Sequence, residues 1–121
     1  MKVAYVGLDE VNAALVRRWT IGQRAGVVAA SPAGATELAP EVAIVLDVDH
    51  LPEPWRRQWL ELAAGRPAMA YGYNLTDRET EALRRVGVTV VRRRLTAKRF
   101  ANWYWRSTEA SKADDTAGRV N

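Results

Sequence analysis

A three-layer α/β/α domain built on a parallel sheet is the fold class this 121-residue sequence predicts, and three observations predict it. Short apolar runs alternate with amphipathic stretches through residue 107, the signature of repeated βα units. Most of the runs are apolar throughout rather than alternating, as strands covered by helices on both faces must be. The stretches between them open and close on residues that start and stop helices.

The first run, Val3–Leu8, leads to Asp9, which is suited to cap a helix in which Val11, Leu15 and Trp19 recur at i, i+4 and i+8. Arg17 and Arg18 complement the dipole toward the end of that helix, and Gly22 follows them. The second strand, Gly26–Ala30, precedes a short helix over Gly34–Ala39, and the third strand is Val42–Val48. Pro54 fits the first position of the next helix. Trp55, Trp59 and Ala63 share a face of it, and Gly65-Arg66-Pro67 stops it. The fourth strand, Ala68–Tyr73, is followed by a capping box, Thr76-Asp77-Arg78-Glu79, a Glu81/Arg85 pair at i, i+4 and a terminating Gly87. The fifth strand is Val88–Val91, and Thr96 caps a last helix that runs to about Ser107. Residues 1–108 are thus expected to form one domain, with 109–121, whose one large apolar residue is Val120, as a flexible tail. Five βα units of this size predict a doubly wound sheet in the order 2-1-3-4-5.

Composition removes several classes of function. Hydrophobic residues at 48% and charged residues at 26% describe a globular chain. The absence of cysteine excludes a disulfide scaffold, thiolate catalysis and the common zinc sites, and a single histidine, His50, excludes a His-rich metal centre. No apolar run approaches the ~20 residues of a bilayer span. The opening Met-Lys-Val-Ala-Tyr-Val-Gly-Leu reads as a strand rather than a signal peptide, so a cytoplasmic location is expected. Val6-Gly7-Leu8-Asp9-Glu10 has one glycine where a dinucleotide fingerprint needs three, and no Gly-Lys-Ser/Thr phosphate loop occurs, so no cofactor is expected. The net charge of +4 is unevenly spread: residues 1–54 carry four Lys/Arg against seven Asp/Glu, and residues 55–121 carry fourteen against seven.

Two passages resemble response-regulator receiver domains, which have the flavodoxin-like fold. Gly34-Ala-Thr-Glu-Leu-Ala-Pro-Glu-Val-Ala-Ile-Val-Leu-Asp-Val-Asp49 is similar to that family's second-helix-to-third-strand passage, where an apolar strand ends in the phosphoacceptor aspartate. Val90-Val-Arg-Arg-Arg-Leu-Thr-Ala-Lys-Arg-Phe100 is similar to its strand, lysine-proline, helix passage. The likeness is degenerate. Gly7 and Leu8 occupy the places of the magnesium-holding acidic pair, with Asp9 and Glu10 beyond them. Tyr71 or Gly72 replaces the serine or threonine that ends the fourth strand, and Arg93-Arg94 or Arg94-Leu95 replaces lysine-proline. Pro52 lies five residues after Asp47 and three after Asp49, so neither keeps the family's spacing of four. The resemblance implies an atypical, pseudo-receiver module without enzymatic activity.

Ligands of open α/β sheets bind outside the carboxyl ends of the strands. Here that edge is expected to gather Asp9, Glu10, Ser31, Asp47, Asp49, His50, Asn74, Arg93 and Arg94, among others. On one reading Asp47 pairs with a strand-edge arginine, Asp9 simply caps its helix, and His50 is a solvated loop histidine. On the other, Asp47 and Asp49 project to the same side of an extended strand. Asp9, Asp47 and Asp49 then hold Mg²⁺, Asp47 accepts phosphate, and Arg94 stands in for the lysine. Of Tyr71 and Tyr73, which alternate at a strand end, one fills the place of the small switch residue or both are packing residues.

The C-terminal third carries the strongest signal. Arg92, Arg93, Arg94, Lys98, Arg99 and Arg106 fall within residues 92–108 without a single acid, interleaved with Phe100, Trp103, Tyr104 and Trp105. Ala97, Phe100, Ala101 and Tyr104 share one helical face and are expected to cover the sheet. Trp103 and Trp105 cannot both lie on that face, so at least one indole is expected at the surface. Arginine and tryptophan dominate interface hot spots. The expected working surface is therefore Arg93, Arg94, Arg99, Trp103 and Trp105, meeting a protein partner or a second copy of the chain. The alternative is nucleic acid, held by phosphate contacts and base stacking.

Overall fold

A computed structural model describes residues 1–120, with side chains for residues 1–110. Five strands, β1 (Lys2–Val6), β2 (Gly26–Val28), β3 (Ala43–Asp47), β4 (Ala68–Tyr71) and β5 (Thr89–Val91), form one parallel sheet in the predicted order β2-β1-β3-β4-β5. Four α-helices cross over between or after them: α1 (Glu10–Gly22), α2 (Trp55–Leu62), α3 (Asp77–Arg85) and α4 (Ala97–Val120). The fold is the expected flavodoxin-like three-layer arrangement.

The layers follow from the period of two along each strand. In β3, Ala43 and Val45 face one way and join Val3, Met69, Val16 of α1 and Phe100, Trp103 and Tyr104 of α4. Ile44 and Leu46 face the other way, against Trp59 and Ala63, Leu83 of α3 and Ala35. All five residues of β3 are buried, which is why that segment reads as a continuous apolar run ending in an aspartate. Trp59 reaches full burial without an orphan donor, because its indole N–H donates to the Pro32 carbonyl at 2.7 Å.

Local signals act as their chemistry requires. The Asp9 side chain accepts from the Asn12 amide and caps α1. Thr76 and Glu79 form the capping box of α3 in both directions, and Glu81 pairs with Arg85 at 2.8 Å. Gly87, at φ +88°, takes the left-handed conformation that ends the α3 segment. Three local expectations are corrected. The helix expected over Gly34–Ala39 is one turn, Ala35–Glu37, because the few residues between Gly34 and Pro40 cannot repay helix nucleation before proline closes the segment. β3 stops at Asp47, and Val48–His50 is a tight 3₁₀ turn rather than a continuation of the strand. α4 extends past Ser107. Most of the tail expected over residues 109–121 lies outside the residues with described side chains.

Candidate functional site

The site lies at the carboxyl edge of the sheet, where β1 and β3 run side by side and Val6 is level with Leu46. Asp47 ends β3 and is 1% exposed. A carboxylate removed from water to that degree needs donors in place of its hydration shell. The chain supplies three from different segments. The Tyr5 hydroxyl of β1 donates to Asp47 Oδ2 at 2.6 Å, and Asn12 Nδ2 of α1 donates to the same oxygen at 2.9 Å. His50, three residues on in the 3₁₀ turn, places Nδ1 3.0 Å from Oδ1 and 3.1 Å from Oδ2. Its other nitrogen, Nε2, lies 3.4 Å from Asp9 Oδ2. Asp9 in turn donates its backbone N–H to the Tyr5 oxygen at 3.3 Å and accepts the Asn12 N–H at 2.8 Å, so the cluster closes on itself.

Two glycines make room for this packing. A Cβ on Gly7 would fall 2.6 Å from the Tyr5 hydroxyl and 2.8 Å from Asp47 Cβ. Gly72 has φ +147°, and a Cβ there would sit 2.7 Å from Asp49 Oδ1. Asp49 faces away from Asp47, accepting the backbone N–H of Tyr73 at 2.8 Å and of Asn74 at 2.9 Å, and so pins the loop after β4 to the turn after β3.

The electrostatics follow from burial and from Asp47. Burial, and then the hydrogen bond to Asp47, push the Tyr5 hydroxyl far above its ordinary range, so it stays a donor. Burial raises Tyr71 in the same direction, with Asp47 alongside. The hydrogen bond to Asp47 raises His50 above the ordinary histidine value, and the nearby charges of Asp47, Asp9 and Asp49 add to it. The imidazolium is thereby favoured, bridging two acidic side chains.

This geometry corrects both readings of the acidic edge. Asp9, Asp47 and Asp49 do not converge, because the turn after Asp47 rotates Asp49 toward Gly72. Among the described residues no group of three or more His, Cys, Asp or Glu side chains is placed to hold a metal ion. Asp47 pairs with His50, Tyr5 and Asn12, not with a strand-edge arginine. His50 is a member of the cluster rather than a free loop residue. Tyr71 is packed beside the cluster at 4% exposure, whereas Tyr73 is exposed. The sequence signal for Asn12 was its position three residues after the capping Asp9. For Tyr5 it was a hydroxyl-bearing residue in an otherwise apolar strand.

The basic surface is assembled in part. Arg93, Arg94 and Arg99 are exposed and, among the described residues, make no ion pair. Arg92 is taken up by Asp77 and the Leu75 carbonyl, as Arg56 is by Glu79. Trp105 is 54% exposed and meets Tyr104 edge-on. Trp103 is corrected: at 2% exposure, with its ring 5.7 Å from Phe100, it is a core residue. Three residues on from Phe100 it lies only ~60° around the helix, within the apolar arc that faces the sheet. No family model matches the chain, and no curated protein matches it.

Proposed function

We propose that this chain is a non-catalytic regulatory module, an atypical receiver-like domain that works without phosphotransfer and meets a protein partner, or a second copy of itself, through the outer face of α4. The observation that carries this reading is the state of Asp47. It ends the central strand, where the receiver resemblance puts a phosphoacceptor, yet it is 1% exposed and engaged by Tyr5, Asn12 and His50. A phosphoacceptor needs one oxygen free for in-line attack and a metal to bridge it to phosphate. Side-chain donors occupy those positions here, so the pocket is set in one state. Support for the α4 face comes from Arg93, Arg94 and Arg99, exposed and without an ion pair among the described residues, and from the exposed Trp105, the residue types that concentrate binding energy. Among the described residues no helix is long and apolar enough to cross a membrane, and a cytoplasmic setting is part of the same proposal.

The test has two arms. NMR and tryptophan fluorescence with Mg²⁺ and beryllofluoride should show no saturable change around Asp47, and a saturable one would restore the phosphoacceptor reading. The triple variant Arg93→Glu/Arg99→Glu/Trp105→Ala should abolish self-association in light scattering or the capture of a partner from the native host. A monomer whose interactions all survive the triple variant would remove the surface. A single-stranded oligonucleotide bound with steep salt dependence, and lost in that variant, would transfer the surface to nucleic acid.

A further inference from the structure

Outside the Asp47 cluster, a groove of about 460 Å³ opens between α1 and the segment that enters α4. Val11, Leu15 and Trp19 of α1 form one wall, Leu95 lies opposite, Tyr71 contributes from β4, and Arg94 also lines it. Val11 is 69% exposed and Leu15 37%, one helical turn apart on the same stripe. An amphipathic helix normally turns such a stripe inward. Trp19 is half-buried, packed on Phe100 at 6.1 Å, and so offers a fixed aromatic wall. Among the lining residues Arg94 alone carries a charge, and it makes no ion pair among the described residues.

We propose that this groove binds a small organic anion with a flat apolar body, its acid group held by Arg94 and its rings laid against Trp19, Leu15 and Leu95. The volume is that of a small-molecule site, and apolar walls with one placed charge are the usual composition of such sites. Charge complementarity fixes the sign: an unpaired guanidinium with no acidic residue lining the groove recognises a carboxylate, sulfonate or phosphate oxygen pair. Arg93, Lys98 and Arg99, all exposed nearby in the chain, raise the local concentration of anions. Asn12 links the groove to the cluster already described, since it lines the groove while its amide donates to Asp47. A ligand in the groove is therefore sensed at Asp47 and His50. The site stands independently of the receiver-like reading, and Arg94 is the one residue it shares with the proposed partner surface.

The test uses the whole chain and two probes of one shape, 2-naphthoate and its neutral counterpart 2-naphthylmethanol, followed by amide NMR. Naphthoate should saturate below about 1 mM, with the largest shifts at Val11, Leu15, Trp19, Arg94 and Leu95. It should bind about tenfold more tightly than the alcohol. Arg94→Leu, at an exposed position, should erase that preference while leaving alcohol binding intact, and Leu15→Asp should weaken both probes. Equal affinity for the two probes, shifts centred elsewhere, or a preference that survives Arg94→Leu would overturn the proposal. A failure of the Arg93/Arg99/Trp105 surface test would leave it untouched.

Discussion

His50 is the only histidine in a chain without cysteine, so the pH dependence of stability between about pH 6 and 9 isolates one side chain. Its Nδ1 faces Asp47, its Nε2 faces Asp9, Asp49 adds a more distant negative charge, and the Tyr5 hydroxyl stays neutral. The hydrogen bond to Asp47 raises the folded-state pKa above 6.5, the value expected in the unfolded chain. Folding therefore binds the proton more tightly. The stabilisation is complete below about pH 6.5 and is lost as pH rises through the folded-state pKa. Each unit of difference is worth ~1.4 kcal/mol in principle. The His50 side chain is 45% exposed, so solvent screens much of that, whereas burial of its partner Asp47 to 1% keeps the pair near the top of the range for exposed pairs. We expect a fall of about 1 kcal/mol between pH 6 and 9, or about 4 °C in Tm. Urea unfolding monitored by tryptophan fluorescence measures it, and the ring resonances of His50 give its pKa directly. His50→Gln keeps a hydrogen-bonding amide without the charge, so its stability should be flat over the same range. A wild-type profile that is flat, a slope that persists in His50→Gln, or a folded-state pKa at or below 6.5 would refute the reasoning.

Tyr5→Phe removes one of the three donors to a buried carboxylate and should cost about 1.5–3 kcal/mol in urea unfolding, with a shift in the His50 ring signals. Trp103→Ala should cost about 3–5 kcal/mol by emptying the α4 side of the core, while Trp105→Ala should stay within about 0.5 kcal/mol; similar values for the two would contradict their different burial. Gly72→Ala should destabilise by about 1–3 kcal/mol in the same assay, because φ +147° disfavours a side chain and the new Cβ would crowd Asp49. The hydrogen bond from Arg56 holds the Glu79 carboxyl at about 2, below its usual 4.5. That pair adds stability above the unfolded value which is lost as pH falls toward 2, so Glu79→Gln should flatten part of the acid unfolding profile.

The sheet was legible because its information is local. Val42 through Leu46 are all apolar since β3 is covered on both sides, and the capping residues Asp9 and Thr76 act on amides three positions away. In the short segment after Gly34 helix-forming residues are present, but proline spacing, not propensity, sets the helix length. The candidate site was half legible. Asp47 stood out as a charge ending an apolar strand, but its partners come from residues 5, 12 and 50, and only the β1–β3 register and the angle of α1 bring them together. Asp49 was misplaced by one local event, the switch from strand to 3₁₀ turn at Asp47, which abolishes the alternation that would have set two carboxylates side by side. Trp103 failed for a related reason. A helix lying across a sheet buries an arc wider than one stripe, and the wheel alone does not give that width.

The Asp47 cluster is better understood as a device for fixing geometry than as a store of stability. Burying the Asp47 carboxylate costs desolvation that its partners do little more than offset, and an apolar replacement of equal volume is often as stable. What the apolar replacement would lack is direction. Tyr5, Asn12, His50 and Asp9 belong to β1, α1, the turn after β3 and the loop between β1 and α1, and each polar contact ties one of these segments to another. The Leu8 N–H adds a further tie to the His50 carbonyl at 2.9 Å. Together these bonds set where α1 begins and how its first turns lie over the sheet. The same turns carry Val11, Asn12 and Leu15 into the wall of the groove that Arg94 also lines. Protonation at His50 and occupancy of the groove therefore act on one element, the start of α1, from opposite sides. The two effects must be thermodynamically coupled to whatever extent that helix shifts. Naphthoate binding that tightens between pH 9 and pH 6 in the wild type, and loses that dependence in His50→Gln, is the form the coupling takes if the imidazolium holds α1 where the groove is open. By reciprocity the bound anion must then raise the His50 pKa by the corresponding amount, so a single NMR titration reads the same free energy from either end.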